Sequence, residues 1–292
     1  MRASLSLALA VTLLAFAANS LLTRAALDGD LIGPEAFVLI RLGSGAVFLA
    51  LLVRRPVGRL LPQGRLGWGG AVSLFVYAIA FTLAYVHLAA GLGALLLFGV
   101  VQLTLLGLGL LRGERFGVIK ALASLMALGG LVLLLGGGEL RGSFSAGLLM
   151  MLAGLAWAAQ TAIGQVPEAK AQTPLLFMTR NFFGACVLAL PLLLAWPLWA
   201  EAGTTGAGLG LALASGALAS GLGYALWYWV LPSISTLLAG VSQLLVPLIA
   251  AVAGLIWLQE PLGWRLLISG ALILGGVLMV LRTDQTGKNK RS

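Results

Sequence analysis

Ten stretches of about twenty residues run through this chain with almost no charge inside them, and their length dictates what it can fold into. They cover roughly residues 4–25, 34–53, 66–88, 93–111, 117–136, 145–165, 173–196, 207–230, 235–257 and 263–281. A bilayer core about 30 Å thick takes roughly 20 residues of helix at about 1.5 Å each. Strands are excluded, because a lipid-embedded backbone must close its own hydrogen bonds and these runs lack period-2 alternation. Only 9% of the 292 residues are charged, against about 25% in a soluble domain. The fold class is therefore an all-α polytopic membrane protein with ten transmembrane helices. A soluble enzyme, a disordered tail and a disulfide scaffold are ruled out.

The charges that exist are unbalanced, with 18 Lys and Arg against 9 Asp and Glu and a pI near 10.6. A nucleic-acid partner would need those cations gathered on one solvated face; here they are scattered between apolar runs. Their placement reads as topology instead, because cytoplasmic loops hold the excess of Lys and Arg. With both termini cytoplasmic, 13 of the 18 cations fall inside, 3 outside (Arg24, Arg141, Arg265) and 2 within spans (Arg41, Arg180). The single cysteine, Cys186, allows neither an intramolecular disulfide nor a thiolate metal cluster.

The chain also repeats itself. Leu14–Ser20 aligns with Leu155–Thr161 at an offset of 141, Arg41 and Gly45 with Arg180 and Gly184 at 139, and Gln102 with Gln243 at 141. Glu114 and Gly117 align with Glu260 and Gly263 at 146. The first run superficially resembles a signal peptide, but its counterpart in the middle of the chain marks it as a retained helix. Five spans per repeat is an odd number, so the second half must enter the membrane upside down. The expected organisation is residues 1–140 as the first five-helix repeat and 141–292 as its inverted partner, ending in a short basic cytoplasmic tail. Inverted repeats are an architecture of secondary transporters, with the substrate held near the midplane between the halves.

Ten spans, two inverted five-helix repeats and the acidic-x-x-Gly element at Glu114–Gly117 and Glu260–Gly263 resemble the EamA branch of the drug/metabolite transporter superfamily. Within it, the chain is similar to the YddG-type aromatic amino-acid exporters. The resemblance covers essentially the whole chain, although its motifs are degenerate. It implies that helices 1–4 and 6–9 line a central cavity and that helices 5 and 10 are peripheral. Related small multidrug pumps couple to protons through an embedded Glu. This chain departs from that pattern, since all nine acidic residues fall at span ends or in loops. Facilitated diffusion, or coupling without a buried carboxylate, is the expectation.

Polar and aromatic residues inside the spans are the candidate substrate contacts. On helix 1, Thr12, Phe16, Asn19 and Thr23 share one face, and helix 6 offers Trp157, Gln160 and Thr161. Gln102 and Gln243 sit near the middle of helices 4 and 9; an amide facing lipid leaves donors and acceptors unpaired, so these should turn inward. They would bind substrate or glue helices together. Tyr77, Phe81 and Tyr85 recur every four residues on helix 3, and Tyr224, Trp227 and Tyr228 lie on helix 8. Such aromatic walls suit an amphipathic ligand; Trp229 reads better as an interfacial belt residue.

Gating or mouth candidates are Arg41, Arg180, His87 and Pro247. The arginines read either as carboxylate attractors at the two mouths or as structural cations capping carbonyls or pairing with nearby acids. Their depth of roughly 10 Å is within reach of snorkelling, which favours the structural role. His87, alone at the outer end of helix 3, fits a hydrogen-bonded structural residue better than a proton relay. Pro247 and Pro191 should bend their spans, and Gly216–Ser220 reads as a small-xxx-small packing surface.

One His and no embedded carboxylate argue against an intramembrane enzyme, so no catalytic residue, cofactor or metal site is expected. A channel, a non-transporting scaffold and an exporter of lipophilic cations or lipids are the rivals. The expected function is an inner-membrane exporter of amino acids with broad specificity, working by alternating access. It would be a monomer or weak homodimer surrounded by lipid, with no nucleic-acid partner.

Overall fold

A computed structural model describes residues 3–53, 60–111, 118–135, 144–164, 166, 172–194, 203–230, 233, 242–243 and 245–289. Among them the chain forms ten long helical segments. The first five are α1 (Ala3–Asp28), α2 (Pro34–Leu52), α3 (Gly64–Tyr85), α4 (Ala90–Leu111) and α5 (Val118–Leu135). The rest are α6 (Phe144–Gly164), α7 (Pro174–Leu194), α8 (Gly206–Val230), α9 (Leu245–Trp257) and α10 (Trp264–Asn289). Seven of them, α1–α4 and α6–α8, are long and apolar enough to cross a membrane; α5, α9 and α10 contribute shorter apolar stretches. Glu114 and Gly117, and residues 235–241 of the span expected over 235–257, lie outside the described residues.

Local chemistry sets the helix starts. Pro34 and Pro174 open α2 and α7, where the missing N–H is one the helix could not have paired anyway. Thr205 caps α8 by accepting a 3.0 Å bond from the Gly208 N–H. Pro191 falls in the last turn of α7, and Pro247 is buried three residues into α9. Leu244 lies outside the described residues, so the bend expected at Pro247 falls where the description breaks. The basic tail begins as helix: α10 continues beyond the apolar span to Asn289.

The most extensive interfaces pair α3 with α6, α1 with α8, α2 with α8, α3 with α7, α4 with α6, α1 with α9, α2 with α7, α4 with α9, and α5 with α10. Large apolar side chains such as Leu51, Leu125, Leu194 and Trp257 point outward, as expected where the solvent is lipid. The turns α1–α2 and α3–α4 lie at one end of the bundle, called the upper end below.

Helix α8 departs from regular geometry. Residues Ser215–Leu222 are π-helical, between α-helical Gly206–Ala214 and Gly223–Val230. This wide turn abuts α2 at closest approach. A Cβ at Gly216 would collide with Ser44 Oγ and with the backbone carbonyl of Arg41, and one at Gly45 would run into the Phe182 ring. The small-residue pattern at Gly216–Ser220 thus packs backbone against backbone. Gly216→Ala should push α8 off α2 and cost about 1–3 kcal/mol, seen as a lower thermal midpoint of purified protein. Gly43→Ala, on α2 with open space around it, should be neutral or slightly stabilising.

Candidate functional site

The candidate site grows from the shared faces of α1 and α3. Thr12 and Thr23 donate to the Ala8 and Asn19 carbonyls of their own helix and are satisfied locally. Phe16 and Asn19, between them, reach the centre of the bundle. On α3, Tyr77 and Phe81 do the same, whereas Tyr85 donates its hydroxyl proton to the Ala90 carbonyl (3.1 Å) and supports the start of α4. Trp157 of α6 and Tyr224 of α8 complete the walls. The rings form one cluster: Trp157–Tyr224 at 4.8 Å between centroids, Tyr77–Trp157 at 5.2 Å, and Phe16–Tyr224 at 5.7 Å. They close around a cavity of about 20 Å³ that also touches Ser20, Ala94, Leu97 and Phe98. That is room for roughly one water molecule, so the site is occluded and a larger ligand requires the rings to part.

Behind Tyr77 and Phe81 lies Arg41, only 2% exposed. Its guanidinium carbon sits 5.2 Å and 4.9 Å from the two ring centroids. Nε donates to Ser220 Oγ (3.2 Å) and Nη2 to the Tyr77 hydroxyl (3.3 Å), while Nη1 has no partner among the described residues. Asn19 joins the same network, donating from Nδ2 to the Tyr77 hydroxyl (3.3 Å) and accepting from Ser215 Oγ (2.6 Å). Both serines come from the π-helical turn of α8. A charge deep in a bilayer costs about 3 kcal/mol or more; cation–π contacts of about 0.5–2 kcal/mol each and these hydrogen bonds offset it. Among the described residues no carboxylate takes part.

The upper end is tied shut by a second network. Arg24 of α1 reaches the carbonyls of Tyr85 (3.1 Å) and Val86 (2.9 Å), pairs with Asp28 (2.5 Å), and meets Glu260 Oε1 at 3.3 Å. Glu260 Oε2 in turn accepts the Ala90 N–H at 2.8 Å. The turn after α9 aims this carboxylate. Gln259 is left-handed (φ 56°), and the Glu260 N–H folds back onto the Gly254 carbonyl (3.1 Å), which also accepts from the Leu258 N–H. Beside it, Thr205 binds the Leu31 carbonyl through both its N–H and its hydroxyl, each at 2.9 Å.

Other expected residues lie elsewhere. Gln160 is buried against Met178 of α7, with Nε2 3.7 Å from the sulfur, and does not line the cavity. Gln102 and Gln243 are half-buried on α4 and beside α9. Arg180 donates to Gln172 Oε1 at 2.7 Å near the start of α7. His87 is exposed in the α3–α4 turn, its backbone N–H on the Ala84 carbonyl. Trp227 packs 5.9 Å from Phe16, and Trp229 is exposed. Among the described residues no cluster of His, Cys, Asp and Glu could hold a metal ion.

Residues 144–282 match the EamA-like transporter family. The chain is 48% identical over 274 residues to "Uncharacterized protein PA1977" of Pseudomonas aeruginosa, spanning 93% of this chain and 92% of the relative. It is 29% identical over 295 residues to the "Probable terminal-alkyne amino-acid exporter" of Streptantibioticus cattleyicolor, spanning 94% and 92%. The chain belongs to the EamA-like transporter family. A solved structure described as "Crystal structure of protein" shares the fold of this EamA-like chain, with TM-score 0.65 and 21% identity over 96% of each. The family match opens on the first residue of α6. As an EamA-like transporter with many apolar helices, the protein is a multi-pass membrane protein acting on a small-molecule substrate.

The upper network carries its own pH signature. Burial pushes the Glu260 carboxyl above its ordinary value of 4.5; the Ala90 N–H and Arg24 pull it down without cancelling that, and Asp28 adds to the rise. A proton is therefore held more tightly with the end closed than with Glu260 released into water. That contribution to the closed state is fully present below the ordinary carboxylate range and is lost as pH rises through the raised value. Thermal midpoints across this range should fall with rising pH in the wild type and flatten in Glu260→Gln. Arg24→Ala, which strands the carboxylate, should cost ~1 kcal/mol after allowing for partial exposure.

Proposed function

We propose that this EamA-like protein is an exporter in the cell inner membrane that moves amino acids, aromatic ones among them, by alternating access. The occluded aromatic centre with a buried arginine beside it carries the reading. Flat ring faces suit a bulky side chain, the polar edges of Asn19 and Tyr77 suit its charged end, and the cavity is narrow with every lining residue buried. Closure of this kind favours a carrier over a channel. The name of the Streptantibioticus relative points to amino acids as the class.

Ten spans in two inverted repeats, residues 1–140 and 141–292, with both termini cytoplasmic, form the scaffold in this reading. The packing pattern supports it. Replacing each helix by the one five further along turns α3–α6 into α8–α1, α2–α8 into α7–α3, and α4–α6 into α9–α1. The pairs α2–α7, α4–α9 and α5–α10 return to themselves. The upper end is then extracytoplasmic, and the Arg24–Glu260 network closes the exit side. Transport is facilitative, since the charge-bearing group at the centre is an arginine, which cannot release its proton under these conditions. The lipophilic-cation alternative loses support for the same reason, because a fixed positive charge repels a cation.

Counterflow in proteoliposomes tests this. Internal phenylalanine should drive saturable uptake of external tracer with no pH or voltage gradient imposed. Trp157→Ala should raise the half-saturation concentration by roughly tenfold or more, whereas Gln243→Ala, beside α9 and off the cavity lining, should change it far less. Strict dependence on a proton gradient would refute the facilitative mode, and absence of flux for every amino acid would refute the exporter.

A further inference from the structure

We infer that Arg41 and Tyr77 form a carboxylate anchor, so that the site selects bulky monocarboxylates, with the amino group of an amino acid dispensable. The inference rests on reading the central cavity as the transport site and narrows what that site recognises. Three observations carry it.

The first is a hydrogen-bond account of the Tyr77 hydroxyl. Its oxygen accepts from Arg41 Nη2 and from Asn19 Nδ2, both at 3.3 Å. Both lone pairs are thereby occupied, and the one capacity left is donation of its own proton. Asn19 turns its Nδ2 toward that hydroxyl and its Oδ1 toward Ser215, which leaves the Tyr224 hydroxyl as the neighbouring acceptor, one that itself lines the cavity. Tyr77 lines the cavity, so it offers an acceptor there a donor polarised by a cation.

The second is Arg41 itself. Among the described residues its Nη1 is buried without a hydrogen-bond partner, and the guanidinium bonds to neutral groups only. A carboxylate between the parted rings would take the Tyr77 proton with one oxygen and Nη1 with the other, supplying the missing countercharge in a low-dielectric setting.

The third is the missing complement. The cavity lining includes no acidic residue, and Glu260 is committed to Arg24 and the Ala90 N–H at the upper end. A substrate ammonium would meet only ring faces and neutral dipoles with the Arg41 charge behind them, so it adds nothing that recognition requires.

Binding to the detergent-purified full chain separates these contributions, read as ligand-induced thermal stabilisation and tryptophan fluorescence. The probes are L-phenylalanine, 3-phenylpropionate (no amine) and 2-phenylethylamine (no carboxylate). The two acids should bind within roughly tenfold of each other, and the amine about a hundredfold more weakly or undetectably. Arg41→Lys keeps the charge but loses the planar fork, so it should weaken both acids about tenfold and leave the amine unchanged. Arg41→Gln should abolish the preference for acids. The ligand series on the wild type decides the matter even if the glutamine variant fails to fold. Binding of the amine as tight as that of phenylpropionate, binding of phenylalanine alone, or binding of none of the three overturns the anchor. Binding of phenylpropionate without counterflow of any solute leaves the anchor standing and defeats the exporter reading. Flux of phenylalanine with no recognition of phenylpropionate does the reverse.

Discussion

A guanidinium held among aromatic rings, with no carboxylate beside it among the described residues, organises much of what surrounds it. Arg41 fixes Tyr77, Tyr77 fixes Asn19, and Asn19 with Arg41 takes up the two serines of the α8 π turn. Four helices, α1, α2, α3 and α8, are thereby tied at one point by groups that cannot find water. In an apolar solvent such a network has few alternative partners, so it specifies how those helices meet where oily surfaces alone would not. Gly45 and Gly216 allow α2 and α8 to come close enough for Ser220 to reach the guanidinium.

The upper end of the bundle is built on different chemistry from the centre. The upper network is made of ions, backbone carbonyls and one backbone N–H, all near the turns, and it can exchange partners with water if it opens. The centre is made of rings and one permanent charge, and it can open only if something replaces the contacts it loses. A transporter needs both properties. The gate must part at modest cost, and the site must be costly to leave empty but open.

Periodicity made the walls of the site readable. Tyr77 and Phe81 four apart, and Phe16 with Asn19 three apart, turn toward one another because helical spacing places them on one face. It could not tell which of those faces would be finished locally: Tyr85 has the same spacing yet supports α4, and the threonines of α1 bond their own backbone. Helix position alone made Arg41 an embedded cation, but its partners lie 36 and 179 residues away, beyond any local pattern. Gln160 and Trp157 are neighbours on α6 whose different surroundings depend on α7 and α3. Ser220 was readable only as part of the Gly216–Ser220 packing pattern and Ser215 not at all, because a π-helical turn has no composition of its own.

That turn has an angular consequence. In an α-helix each residue advances the direction of the side chain by about 100°, and a widened turn resets this count for everything that follows. Residues Gly223–Val230 therefore keep a different phase from Gly206–Ala214 on what is otherwise one rod. Because of the reset, Tyr224 and Trp227 face the rings of α1 while Trp229 faces outward. Helix α8 behaves as two wheels on one axle, and any event that moved the widened turn along the axle would rotate one aromatic wall of the cavity while the other helices stood still.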